Sequence, residues 1–450
     1  MGERLVSVGL DVGTTSTQLV VSELQVENRA SSFAVPELEI AERFVRYRSP
    51  VHFTPLIGGN LVDGAGIRSL VEAEYRRAGI STKDVDTGAI IITGETSRKE
   101  NARAVLEALS DMAGDFVVAT AGPDLESVLA AKGAGADRFS LETGKAVLHM
   151  DIGGGTSNLA WIEEGEFKQT GCLNVGGRLL KLDETGKVTY VSPVLSGLCS
   201  LKVGDRATES QLEEIAKVLV QALEMAAGLR ERTPLLEMLW TKECGPMWAS
   251  APTGGMVLSF SGGVADCIER DVPWLEYGDM GPTLGRAIRE SALCRGEYRL
   301  GSETIRATVI GAGCHSTQLS GSTVFCRNVN LPLKNLPVIR LENADSALIR
   351  WELEKQEGVA VLALPGLDAP GYAQVRQMAR EILEGWKAGP VLVCLEQDMA
   401  KALGQAMALL TDKPILCIDR VRLTGESFLD VGNPVGPALP VVVKTLVLGR

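Results

Sequence analysis

Two short acidic, glycine-rich turns carry the chemistry this chain could do: Asp11-Val12-Gly13-Thr14-Thr15-Ser16 and Asp151-Ile152-Gly153-Gly154-Gly155-Thr156-Ser157. Glycine reaches positive φ and leaves backbone N–H groups uncovered, so such a turn can close around an anion. The Thr and Ser hydroxyls add donors for phosphate oxygens. A carboxylate beside an anion needs a cation between them, and Mg²⁺ suits that place because it keeps several waters and takes one or two carboxylates plus phosphate oxygens. Either turn alone is equally well read as a tight hairpin of common turn formers. Two in one chain predict a clamp that grips a nucleoside di- or triphosphate from both sides.

The elements that must position these residues are legible around them. Apolar runs at residues 5–10 and 146–150 lead into the turns, and runs at 18–21 and 158–162 lead out, so each turn is the tip of a strand hairpin. Two further glycine signals follow. Residues 256–260 are strand-like and run into Ser261-Gly262-Gly263-Val264-Ala265, where bare backbone would let a flat adenine ring lie close. Residues 307–310 read as a strand leading into Gly311-Ala312-Gly313, with a helix start near Ser316. Each is also readable as a simple strand-to-helix turn.

In this order the motifs resemble those of the actin, sugar-kinase and heat-shock-chaperone ATPase superfamily. Asp11 to Ser16 match the first phosphate motif, Asp151 to Thr156 the second, Ser261 to Ala265 the adenosine motif and Gly311 to Gly313 the second connecting motif, while residues 121–136 resemble the first connecting helix. The resemblance spans residues 5 to about 325. It implies an α/β chain with two ribonuclease-H-like domains of the actin-like ATPase fold around a nucleotide cleft, at residues 1–145 and 146–328. Residues 329–450 form an additional C-terminal α/β region, for which packing on the first domain is one arrangement. ATP and Mg²⁺ are the implied cofactors.

Three further stretches, at residues 47–56, 93–102 and 439–446, look like the ethanolamine ammonia-lyase reactivating factors of bacterial ethanolamine utilisation. That resemblance implies an ATP-dependent, chaperone-like factor that helps damaged cobalamin leave a stalled lyase, so that intact adenosylcobalamin can replace it. The implied partner is ethanolamine ammonia-lyase with its damaged cobalamin. A homo-oligomer and association with a bacterial microcompartment are compatible with it. One departure stands out: Gly122 precedes Pro123 where heat-shock-chaperone ATPases carry Glu, which points to slow or partner-stimulated hydrolysis.

Phosphoryl transfer needs mostly positioning and charge neutralisation. Asp11 and Asp151 are therefore assigned to Mg²⁺ through its waters. Gly13, Thr14, Thr15, Ser16, Gly153, Gly154, Gly155 and Thr156 are assigned to the phosphates, and Ser261, Gly262, Gly263, Gly311 and Gly313 to the rest of the nucleotide. Asp151 has a second reading as the group that orients the attacking water. Glu95, at the end of the strand at 89–93, is the alternative for that job, although Ser97 and Glu100 form a capping box that would simply start a helix. Two other functions use the same clamp: a small-molecule kinase of the sugar-kinase type, which needs an acceptor pocket and a base, and a nucleotide-dependent actin-like assembly protein.

Composition narrows the field. A chain of 450 residues with 45% hydrophobic content has room for two or three full cores. A net charge of −12 opposes general binding of nucleic acid, which needs clustered Lys and Arg. The first strand begins within a few residues, without a basic segment and apolar leader, and no apolar stretch of about 18 residues occurs, so cytoplasm is the expected location. Nine cysteines without a C-x-x-C pair are expected to be reduced and mostly buried. His52, His149 and His315 are isolated in sequence and read as structural: His149 as packed core, His315 at a helix start, His52 in a Pro-bracketed loop without a visible partner.

The coarse pattern predicts a third strand at 42–47, a helix at 64–78, a strand at 89–93, a helix at 97–109 and a strand at 115–119, after which the second turn starts a second copy. Residues 209–229 are expected to form a helix covering a core. Strands at 358–364, 390–395 and 414–418 alternate with helices at 374–386 and 399–410, which predicts a parallel sheet. The segment Asp430-Val431-Gly432-Asn433-Pro434 imitates the D-x-G opening but lacks its continuation, and reads as a turn.

Overall fold

The computed structural model describes residues 3–13, 16–28, 38–57, 61–93, 117–120, 123–241, 256–315, 317–320, 323–356, 358–421, 428–434 and 439–444. Thr14, Thr15, Glu95, Gly122 and the helix expected at 97–109 lie outside them.

The first sheet is built from β1 (Glu3–Val12), β2 (Ser16–Asn28) and β3 (Leu38–Arg48), then, beyond helix α1 (Gly64–Ala78), from β4 (Thr87–Ile92) and β5 (Val117–Thr120). Its neighbour order is β3-β2-β1-β4-β5. The first three strands are antiparallel and the last two run parallel to β1. Strand β4 is buried at every residue, which is why it reads as an unbroken apolar run and not as an alternation. Helix α1 begins where the Asp63 side chain accepts the Gly66 N–H at 3.0 Å and ends where Gly79 turns left-handed at φ 69°.

After helix α2 (Pro123–Gly133) the plan repeats. Strands β6 (Val147–Ile152), β7 (Ser157–Glu163) and β8 (Glu166–Leu173) precede helix α3 (Glu209–Ala226), followed by β9 (Val257–Ser261) and β10 (Tyr298–Leu300). The order is β8-β7-β6-β9-β10, with the same change from antiparallel to parallel at the central strand. Two ribonuclease-H-like units thus follow one another, as the paired turns predicted. Helix α3 places Leu212, Ile215, Leu219 and Leu223 in the core of the second unit.

Helix α4 (Ala307–His315) corrects one expectation. Residues 307–310 do not form a strand and Gly311-Ala312-Gly313 is not a turn; all lie inside this helix, and His315 ends it instead of opening one. The helix packs across α2 and β1 at a separation that only glycine permits. A Cβ on Gly311 would overlap the Leu129 carbonyl, one on Gly133 the Ala307 carbonyl, and one on Gly9 the Val309 carbonyl. The Ser7 hydroxyl donates to the Gly313 carbonyl at the same crossing.

A third, eight-stranded sheet follows. Its order is Thr317–Leu319, Pro440–Lys444, Phe428–Val431, Leu333–Arg340, Val361–Leu364, Val391–Leu395, Ile415–Ile418 and Phe325–Arg327. The run from Leu333–Arg340 to Ile415–Ile418 is parallel, with Tyr372–Gly385 and Ala400–Ala408 as crossover helices, as the alternation predicted. Two of its strands precede residue 329, so the third sheet draws in chain from before the expected start of this region. Asp430 is not in a turn but in a strand, opposite Val442, because the apolar run at 441–443 supplies a pairing partner; the strand ends at Val431. Val442 also packs against Ala89, Ile91 and Ala312, which joins this sheet to the first.

Gly311→Ala should expose the constraint at the helix crossing: overpacking of this kind costs about 1–3 kcal/mol. Thermal unfolding of the variant should show a lower midpoint, whereas Gly155→Ala, where an added Cβ meets nothing within 4 Å, should leave it near that of the unsubstituted chain.

Candidate functional site

Each hairpin tip is closed in the same way. Gly13 N donates to Ser16 O at 2.9 Å, and Gly153 N donates to Thr156 O at 2.9 Å. Each acid lies two residues before its glycine and faces an amide side chain across the strand pair, Asp11 opposite Gln18 and Asp151 opposite Asn158. Residues directly opposite in an antiparallel pair share a face. The correspondence between the two tips is therefore positional as well as compositional.

Threonines from outside the first hairpin fix its tip. Thr93 Oγ1, just beyond β4, donates to Asp11 Oδ1 at 2.8 Å. Thr54 Oγ1 donates to Gly13 O at 2.8 Å and lies 3.1 Å from Thr17 Oγ1. Glu95, the alternative water-orienting group, falls two residues after Thr93 and outside the described residues.

The second tip is held from β9 and from the loop after β8. Ser261 Oγ donates to Asp151 Oδ1, and Thr308 Oγ1 approaches Asp151 Oδ2 at 3.5 Å. Gly262 adopts φ 87° with its Cα against the Ile152 carbonyl, a place where a Cβ would collide, and Val264 N donates to Ile152 O at 3.2 Å. Gly177 N donates to Gly153 O at 3.0 Å and Arg178 N to Gly154 O at 2.6 Å. The Arg178 side chain lies over Gly154 and pairs with Asp279, Nε to Oδ2, at 3.3 Å.

Of the sequence-expected residues, the structure therefore gathers Gly153, Gly154, Gly155, Thr156, Ser261, Gly262 and Gly263 around the second tip, and Asp11, Gly13 and Ser16 at the first. Ser261 is fully buried and its hydroxyl donates to Asp151. Gly311 and Gly313 meet Leu129 and Gly9 in close helix packing. Sequence reading passed over Gln18, Asn158, Thr54, Thr93 and Arg178. The first two had a signal, a lone amide side chain in an apolar return strand at the same offset from each acid.

The electrostatics link the two tips. Burial pushes the Asp11 carboxyl up to about 7, against the Thr93 hydrogen bond, and the Asp151 charge adds to the rise. Burial pushes Asp151 up to about 6, with the Ser261 and Thr308 hydroxyls opposing. A buried carboxyl at Asp151 and a half-buried one at Asp11, the second raised by the charge of the first, make a site in which a cation is favoured. Gln18 Oε1 and Asn158 Oδ1 are buried without a hydrogen-bond partner, one beside each acid. This set of hard oxygen donors fits a hydrated divalent cation such as Mg²⁺. Among the described residues no group of three or more His, Cys, Asp or Glu could hold a metal ion.

The histidines are placed as follows. His52 has a partner after all: it pairs with Thr17 of β2 and its Nε2 lies 3.1 Å from Glu74 Oε1. Glu74 is buried and also accepts from Tyr47 OH at 2.6 Å. His149 is buried as expected, between Ser259 and Ser261, and burial pushes it down to about 3. Eight cysteines are described, all free thiols, and Cys172, Cys267, Cys314, Cys394 and Cys417 are buried. Among the described residues no helix is long and apolar enough to cross a membrane.

Both acids keep their protons to higher pH when folded than the ordinary carboxyl value of 3.8 allows when unfolded. The folded, cation-free state therefore binds more protons, and stability falls as pH rises through the range from 3.8 to about 7. Asp11→Asn cannot ionise and lacks its share of this slope. Thermal unfolding in a chelating buffer should show the midpoint of the variant gaining on that of the unsubstituted chain between about pH 4 and about pH 7.

The family model described as Ethanolamine utilisation protein EutA matches residues 3–449. The ethanolamine ammonia-lyase reactivase EutA of Salmonella typhimurium is 38% identical over 466 residues, covering 98% of both chains. Its namesake from Escherichia coli is 37% identical over 465 residues, again covering 98% of each. Among solved structures, ethanolamine utilization protein EutJ from Carboxydothermus hydrogenoformans is similar at 18% identity and a TM-score of 0.33, covering 68% of this chain and 88% of that one. By the match along nearly its whole length, the chain belongs to the EutA family of ethanolamine utilisation proteins.

Proposed function

We propose that this protein is an ATP-dependent reactivating factor for ethanolamine ammonia-lyase, which promotes release of damaged cobalamin so that intact adenosylcobalamin can rebind. The observation that carries it is the 38% identity over 98% of the chain with a relative named as a reactivase of that lyase. The paired tips supply the nucleotide half of the function.

In this proposal Asp11 and Asp151 hold Mg²⁺ through its waters, with the carbonyl oxygens of Gln18 and Asn158 beside them. When bound, Mg²⁺ supplies charge neutralisation to the phosphates. Gly13, Thr14, Thr15 and Ser16 receive the phosphates from one side and Gly153, Gly154, Gly155 and Thr156 from the other, with Arg178 adding positive charge at Gly154. Gly262, buried against Ile152, makes the turn that presents the half-exposed backbone of Gly263 to the adenosine. Asp151 or Glu95 orients the attacking water. Because the two tips belong to different sheets, a nucleotide gripped by both has unequal contacts in open and closed arrangements, and that difference is what can change affinity for a partner protein. The lyase carrying its damaged cofactor is that partner.

Phosphate release from Mg-ATP, measured alone and with cyanocobalamin-blocked ethanolamine ammonia-lyase, tests the proposal when lyase activity is followed after addition of adenosylcobalamin. Recovery should require ATP and should vanish in Asp11→Asn. Turnover of ATP without recovery would sink the reactivase function and leave the clamp. Arg178→Ala should weaken Mg-ATP binding by about tenfold or more, the loss expected for a hydrogen bond to a charged group; an unchanged Kd by calorimetry would remove Arg178 from the phosphate site.

A further inference from the structure

Strand alternation puts His149 and Asp151 of β6 on one face, and β9 runs parallel beside them with Ser259 next to His149 and Ser261 next to Asp151. His149, Ser259 and Ser261 are all fully buried. His149 Nδ1 lies 3.0 Å from Ser259 Oγ, its Nε2 lies 2.9 Å from Ser261 Oγ, and Ser261 donates onward to Asp151 Oδ1. Four side chains on two strands thus form one continuous hydrogen-bond chain that ends on the acid of the second tip.

Counting protons fixes the direction of that chain. A carboxylate only accepts, and a hydroxyl has one proton to give. Ser261 gives its proton to Asp151, so the Ser261 oxygen must receive one from His149 Nε2. A neutral imidazole has a single N–H, which leaves Nδ1 bare to accept from Ser259. An imidazolium held only by two hydroxyls would bury a charge without a carboxylate of its own, at heavy cost. The opposite tautomer would turn the Ser261 hydroxyl toward the ring and take a donor from Asp151.

We propose that His149 is a positioning residue of the phosphate site: its Nε2–H tautomer, matched by Ser259 donating to the bare Nδ1, holds the Ser261 hydroxyl on Asp151 and so fixes the orientation of that carboxylate. The inference rests on the phosphate-clamp function proposed above and assigns that site a buried support on the side away from the nucleotide. Neither ring nitrogen has any need to gain or lose a proton during turnover.

Two measurements on the full-length protein test it. With ¹⁵N-labelled histidine only His52, His149 and His315 contribute, and long-range ¹H–¹⁵N correlations separate the tautomers. One histidine, missing from the spectrum of His149→Gln, should show a protonated Nε2 and a bare Nδ1; an Nδ1–H tautomer or an imidazolium overturns the proposal. Glutamine can place an amide N–H where Nε2 stands, whereas asparagine reaches only as far as Nδ1. His149→Gln should therefore keep kcat for ATP close to that of the unsubstituted chain. His149→Asn should lower kcat about 10- to 100-fold, with KM for Mg-ATP little changed and a thermal midpoint matching that of the Gln variant. Equal kcat in the two variants overturns the positioning role. Absence of phosphate release from the unsubstituted chain overturns the ATPase function instead, and the tautomer, which does not depend on turnover, tells the two failures apart.

Discussion

Two carboxyls at corresponding hairpin tips, Asp151 buried and Asp11 half-buried, set the terms for the rest of the molecule. Asp11 and Asp151 are each raised by burial, and Asp11 is raised further by the charge of the other. Such a pair is tolerated only when hydroxyls hold the oxygens and a cation or protons offset the charge. Thr93 supplies the hydroxyl on one side, Ser261 and Thr308 on the other. Every one of these donors comes from an element other than the hairpin it serves. A tip that carries a charged group into the interior cannot be completed locally, because its own turn has already committed Gly13 N and Gly153 N to closing the hairpin.

The frame that brings those donors together depends on close approach of backbones. Helix α4 lies on β1 and across α2 at glycine contacts, and side chains pin the segment before and within it to the first sheet: Gln18 Nε2 donates to Ile305 O at 3.2 Å, Arg306 to Ser49 O at 3.0 Å, and Arg43 Nε to Cys314 O at 2.9 Å. Thr308, which reaches Asp151 in the second unit, therefore sits on a helix anchored to the first. Gln18 joins both roles, with its nitrogen on the connecting segment and its oxygen beside Asp11.

Particular residues show how far local pattern carries. The hairpins were legible because their strands are apolar runs interrupted by Asp, Gly and Thr, a local signal that the fold preserved. Helix α1 was legible to both of its ends, Gly64–Ala78, because its cap residues Asp63 and Gly79 are adjacent in sequence to its apolar face. Residues 307–313 misled because Ala-Thr-Val-Ile has the β-branched look of a strand and Gly-Ala-Gly that of a turn. In the fold those same glycines serve a helix, where the missing side chains make room for Leu129 and Gly9. Asp430 misled for the converse reason, since its strand depends on Val442, a partner that no local pattern announces.

What the sequence determined by itself was therefore the repeated acid-and-glycine tip, the two-unit α/β plan and the family to which the whole chain belongs, because turn chemistry and strand periodicity act over a few neighbouring residues. What only the tertiary structure decided was which distant groups complete each tip. Thr93 and the chain from Ser259 through His149 and Ser261 to Asp151 depend on register between strands far apart in sequence. Register is set by the packing of whole sheets, and a shift of one residue would send each of these side chains to the opposite face.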